Sequence, residues 1–161
     1  MERLSMVAFR EMNKTEYTTW RELAVKEYAD DLAKAGYETR EHALEGSANE
    51  FDSMLPKGLK SEGNHLCVVM DEQSNQRVGA IWYMERGGRR TNTIFIGDIR
   101  MDEHYRGKGY GTATLKHLEV RARELGKNRI ALHVFAHNTR AMKLYEELGY
   151  SPTGIMMAKN L

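Results

Sequence analysis

One cysteine, two prolines and no apolar run near the roughly 18 residues of a membrane span remove several protein classes from consideration. A lone Cys67 cannot form an internal disulfide framework, and such sparing cysteine use fits a reducing compartment. Few prolines, with 41% apolar and 29% charged residues, exclude a disordered tail, a collagen-like chain and a low-complexity linker. Charge of one sign is missing too. The 24 Lys and Arg residues nearly match the 23 Asp and Glu, so the net charge of +1 creates no global field for nucleic acid. The first residues, Met1-Glu2-Arg3-Leu4-Ser5, lack the apolar core of a signal peptide. At 161 residues the chain can bury a core without disulfides or metals. These absences predict a single domain over 1–161, cytoplasmic and without a membrane partner.

The elements follow from periodicity. Leu4–Phe9 reads as a first strand. Thr15 offers an N-cap to a helix reaching Ala35, with Gly36 as its left-handed stop and Tyr17, Trp20, Ala24, Tyr28 and Leu32 as its apolar stripe. A second helix starts after Thr39 and ends at Leu55, before Pro56. Leu66–Met70 and Val78–Met84 read as strands around the turn Asp71–Asn75, and Gly87-Gly88 marks the next turn. Thr91–Met101 is a third strand of this group, Gly109–Leu125 a helix, Ile130–Phe135 a buried strand, Asn138–Leu148 a helix stopped by Gly149, and Ile155–Ala158 a closing strand. The order β-α-α-β-β-β-α-β-α-β predicts an α/β fold, with a mixed sheet covered by helices on both faces.

The segment most informative for chemistry is Asp98-Ile99-Arg100-Met101-Asp102-Glu103-His104-Tyr105-Arg106-Gly107-Lys108-Gly109-Tyr110-Gly111-Thr112. It joins a strand end to a helix start through three glycines and two cations. Such a turn leaves backbone N–H groups without intrahelical partners, and the helix dipole adds positive potential, so the pair makes a phosphate cradle. A Walker loop fails here, because Lys108 is followed by Gly109. A dinucleotide fingerprint fails as well, because Thr112 stands where a third small residue belongs.

Arg106-x-x-Gly109-x-Gly111 resembles the Arg/Gln-x-x-Gly-x-Gly/Ala signature of the GNAT superfamily of N-acetyltransferases. Asn138, Ala141, Leu144, Tyr145 and Leu148-Gly149-Tyr150 resemble that family's second helical element, and the order of elements is similar throughout. The resemblance implies a mostly antiparallel GNAT-like sheet and acetyl transfer from acetyl-CoA to the primary amine of a small molecule or peptide. It implies that backbone groups of Ile99, Arg100 and Met101 pair with the pantetheine arm. It further implies that amides of Arg106, Gly107, Lys108, Gly109, Tyr110, Gly111 and Thr112 hold the pyrophosphate, and that Asn138 contacts the pantetheine end. Tyr145 occupies the position of the family's general acid, which suits a phenol titrating near 10. Asp98 is the candidate for drawing a proton from the amine through water. Some relatives carry an acid one residue earlier, where this chain has Gly97.

Other residues carry less. The six histidines show no zinc-ligand spacing, so no metal is expected. Cys67 and the aromatic stripe are expected in the core, and Met156-Met157 in core or interface. Residues 11–62 hold twelve acids against seven bases, whereas residues 100–129 hold eight bases against four acids. The basic half suits an anionic cofactor. In the family the first two helices wall the acceptor site, so their acidity implies a cationic acceptor. Two rival functions remain: a non-catalytic acyl-CoA sensor, and a nucleic-acid module built on Arg121, Arg123, Lys127 and Arg129, which near-zero net charge disfavours. Twelve residues after Gly149 are few for two closing strands, so the expected C-terminal sheet edge is truncated or completed by a second chain, as in a homodimer.

Overall fold

A computed structural model describes residues 6–85 and 91–161. Five strands form one sheet in the order β1 (Val7–Glu11), β2 (Asn64–Asp71), β3 (Arg77–Glu85), β4 (Thr93–Met101) and β5 (Arg129–Leu132). The first three pairings are antiparallel and β4–β5 is parallel. Helices α1 (Lys14–Lys34) and α2 (Arg40–Met54) separate β1 from β2, α3 (Tyr110–Glu124) joins β4 to β5, and α4 (Thr139–Glu147) follows β5. The turn read at Gly87-Gly88 lies outside the described residues.

Strand alternation sorts the core into two layers. Leu66 and Val68 of β2, with Ala80, Trp82 and Met84 of β3, meet Trp20, Ala24 and Val25 of α1 and Phe51 of α2. Their neighbours Cys67, Val69, Ile81 and Tyr83 face Leu115, Leu118 and Ala122 of α3. The first layer is aromatic: Trp20 lies edge-on to Trp82 at 5.6 Å, and Phe51 sits 5.4 Å from Trp82. Cys67 is 6% exposed, so its place in the core holds.

Local chemistry moved several boundaries. The α1 N-cap is Asn13, not Thr15. Asn13 and Glu16 form a reciprocal capping box at 2.8 and 2.9 Å, and Arg10 clamps the same carboxylate, which its hydrogen bonds hold below the usual range. The strand read as Ile130–Phe135 ends at Leu132 and is half-buried, because it is the sheet's outer strand. The closing strand expected at Ile155–Ala158 does not form. That segment is irregular, and Ile155, Met156 and Met157 are 80–87% exposed, so the two methionines fill no core in this chain. The sequence pattern is strand-like, but among the described residues no strand pairs with it.

One irregularity in β4 matters for the site. Trp82 pairs with Asp98, while Tyr83 pairs with Ile96, so Gly97 is an extra, bulged residue. A Cβ at Gly97 would lie 2.5 Å from the Trp82 ring, so only glycine fits there.

Candidate active site

Strands β4 and β5 part company halfway along. Their pairing ends at Ile96 and Leu132, whereas pairing of β4 with β3 continues through Ile99 and Arg100 to Met101. Among the described residues no strand pairs with the β5-facing edge of Ile99–Met101, so an added extended ligand has room there, although the Met101 carbonyl on that edge accepts from Arg106.

Beyond Met101 the chain turns through a short 3₁₀ segment, Glu103–Tyr105, into α3. Gly107 and Gly109 adopt left-handed φ of 72° and 87°, which steers successive N–H groups the same way. Among the described residues, no backbone N–H from Gly107 to Thr112 finds a partner, and no side chain caps the helix. Space beside Gly109 is open: a Cβ there would meet nothing within 4 Å. This is a ready anion cradle. The Arg106 amide itself donates to the Glu103 carbonyl at 3.3 Å. The Arg106 side chain ties the loop back to the Met101 carbonyl at 3.1 Å. The Tyr110 hydroxyl donates to Asp71 and anchors the start of α3 to the end of β2. Lys108 remains exposed, 5.9 Å from the Tyr105 ring.

Asp98 sits at the mouth of the splay and is not a free carboxylate. The Trp20 indole donates to its Oδ2 at 2.9 Å, and Arg100 donates through Nε at 3.0 Å and Nη2 at 3.4 Å. Arg100 also reaches Glu27 of α1 at 3.0 Å, and its side chain is largely buried. A carboxylate offers about four acceptor positions, so roughly one on Oδ1 is left for a ligand or water. Trp20 and Glu27 were not singled out as site residues from the sequence. No local signal marks a bond between positions 78 apart.

Tyr145 of α4 comes within electrostatic range of Asp98. Burial raises its phenol above the usual value, and the Asp98 charge raises it further, so the hydroxyl stays protonated through neutral pH. Its hydroxyl makes no hydrogen bond among the described residues. Tyr150 packs against it at 5.6 Å, and the Tyr150 hydroxyl is sealed away with no partner among the described residues. Asn138 is the N-cap of α4, yet its side chain makes no capping hydrogen bond, which leaves its amide exposed. Just before it, His137 pairs with Asp31 of α1 at 2.7 Å and Phe135 packs on Tyr28, joining the β5–α4 loop to α1. Among the described residues, no group of three or more His, Cys, Asp or Glu could hold a metal ion, and no helix is long and apolar enough to cross a membrane.

A splayed strand pair opening beside a glycine-lined helix start carries the two halves of the motif found in the sequence. The profile of the Acetyltransferase (GNAT) family matches residues 10–150, and the chain belongs to that family. Two Bacillus subtilis proteins, named as uncharacterized N-acetyltransferases YdgE and YycN, are 34% and 35% identical over 94% and 93% of this chain, and over 96% of each relative. The crystal structure of YycN superposes with a TM-score of 0.90 at 34% identity, covering 96% of this chain and 98% of that one. A spermine/spermidine N(1)-acetyltransferase of the same species is 35% identical over 66% of each chain. The fold is thus the α/β acetyltransferase fold of this family, and the protein is an acyltransferase.

Proposed function

We propose that the protein transfers the acetyl group of acetyl-CoA to a cationic primary amine by direct attack. The observation that carries this reading is the placement of an open β4 edge and an unpartnered amide cradle on one side of Asp98 and Tyr145. In this reading the backbone of Ile99, Arg100 and Met101 pairs with the pantetheine arm, amides of Gly107–Thr112 hold the pyrophosphate, and Asn138 receives the cysteamine end. Lys108 and Arg106 add positive charge around the phosphates.

The chemistry needs three proton movements. The acceptor arrives as an ammonium and must lose one proton before its lone pair can attack the thioester carbonyl. Asp98, through its remaining Oδ1 position, accepts that proton by way of water. As the C–N bond forms and the C–S bond breaks, the departing thiolate takes a proton from the Tyr145 hydroxyl, and the second proton shed by the nitrogen passes through water to restore that phenol. The products are an amide and free CoA thiol.

The acceptor's charge class rests on the N-terminal region, where twelve acids face seven bases between residues 11 and 62. Glu27 of α1, partly exposed, pairs at 3.0 Å with Arg100, the same guanidinium that bonds Asp98. The name of the spermine/spermidine relative specifies polyamine acceptors for that enzyme and fits the same class. A reducing, cytoplasmic setting fits the buried, unpaired Cys67. The test is thiol release from acetyl-CoA with a panel of amines. Turnover with cationic amines and none without amine is expected. Binding of acetyl-CoA with no turnover on any amine would favour the sensor instead.

A further inference from the structure

Past Leu132 the pairing of β4 with β5 stops, yet both sides of the opening are tied to one helix. Trp20, Glu27 and Asp31 follow one another along α1 at intervals of seven and four, so they share a face over about 16 Å of helix. The first two reach β4: the Trp20 indole donates to Asp98 at 2.9 Å, and Glu27 pairs with Arg100 at 3.0 Å. Asp31 reaches the other side, where it meets the His137 imidazole at 2.7 Å. Nearby, Tyr28 packs on Phe135 at 6.1 Å, and Phe135 in turn stacks on His137 at 5.5 Å. His137 directly precedes Asn138, the N-cap of α4. The later half of α4 packs on the α3 layer through Leu144, Tyr145 and Leu148. That packing fixes where α4 sits, and the tie at its start fixes which way it points.

We propose that the Asp31–His137 pair is a clasp that sets the width of the splay and, resting on the acetyl-transfer reading above, places Asn138 and Tyr145 for reaction. Both residues act through α4 and not on the reacting atoms, so they are positioning residues. The bond does not depend on the charge of the imidazole. A carboxylate can only accept, so Nε2 carries a proton whether the ring is neutral or cationic. His137→Gln therefore keeps a donor and Asp31→Asn keeps an acceptor, whereas alanine substitution at either position removes the bond. The Asp31 and His137 side chains are 33% and 32% exposed, so their truncation opens no cavity in the core.

Steady-state kinetics with acetyl-CoA and the fastest amine of the panel, together with hydrogen exchange, test this. Asp31→Ala and His137→Ala should each lower kcat about tenfold, with the double variant no worse, because both remove the same contact. Acetyl-CoA affinity should change by less than about threefold, since the cradle and the Ile99–Met101 edge lie on the β4–α3 side. Asp31→Asn and His137→Gln should recover most of the rate. In the alanine variants the amides of Met142–Leu144, in the first turns of α4, should exchange about tenfold faster while those of α3 keep their rate. Wild-type kcat, additive losses in the double variant, or unchanged exchange would each overturn the clasp. A higher acceptor KM at constant kcat would overturn it too, by making Asp31 an acceptor contact. A wild-type protein that turns over no amine would fail the acetyl-transfer reading alone, and the clasp would then stand or fall on exchange.

Discussion

In the reaction we propose, the cofactor side and the acceptor side of the site are built from different materials. On the α3 side, the working groups are backbone: the open edge of Ile99–Met101 and the amides of Gly107–Thr112, held by left-handed glycines. On the α1 side they are side chains, with Trp20 and Glu27 reaching across to Asp98 and Arg100. A backbone site binds what every member of a family shares and is insensitive to most substitutions. A side-chain site can be rewritten one residue at a time, which is how one fold serves many acceptors.

The sharpest way to separate the two sides is to remove one hydroxyl from the reacting centre. Tyr145→Phe should lower kcat by about 100-fold, the low end for a positioned general acid, with CoA affinity changed by less than about threefold. Because burial and Asp98 raise the phenol, the high-pH limb of the wild-type profile should lie above pH 10 and be absent from the variant. Retention of wild-type kcat, with chemistry limiting, would make Tyr145 a packing residue.

A change to the backbone side should act on binding instead. Gly109→Asp places a carboxylate in the cradle and should weaken CoA binding at least tenfold, about 1.4 kcal/mol. Gly109→Ala is its control: the Cβ meets open space, so only the left-handed strain of about 1–2 kcal/mol falls on stability. Equal CoA affinity in wild type and the folded aspartate variant would remove the cradle assignment.

Salt probes the acceptor side. Raising ionic strength should increase the KM of a cationic amine by about threefold, and that of a neutral analogue less, because the acidic helices lose their reach. Equal responses would break the charge argument. The smallest effect concerns Tyr150, whose sealed hydroxyl has no partner among the described residues. Tyr150→Phe should leave stability unchanged or raise it by up to about 1 kcal/mol, a Tm rise of about 2–4 °C by calorimetry.

The same division governs what was readable in the chain. Gly107, Gly109 and Gly111 announce the cradle because backbone sites need glycine at fixed, local spacing. The helix stops at Gly36 and Gly149 and the Thr39 cap were legible for the same reason, and both glycines take left-handed φ. Asn13 and Glu16 form a readable capping box that outcompeted Thr15. By contrast, the bonds Trp20–Asp98, Glu27–Arg100 and Asp31–His137 join distant positions, and nothing local encodes them. The strand at Ile155–Ala158 misled because apolar pattern records the wish to pair and not the presence of a neighbour.

Gly97 carries a consequence for the whole strand. Before it, Ile94 and Ile96 join the α3 layer while Phe95 packs on the other. After it, Asp98 and Arg100 bond toward α1, while Ile99 and Met101 join the α3 layer. The extra residue shifts the strand's in-and-out phase by one step. Without that step, the carboxylate and guanidinium would be driven into the hydrocarbon of the α3 layer, and the isoleucine and methionine would face α1. A single residue with no side chain thus decides which face of the sheet is allowed to be an enzyme.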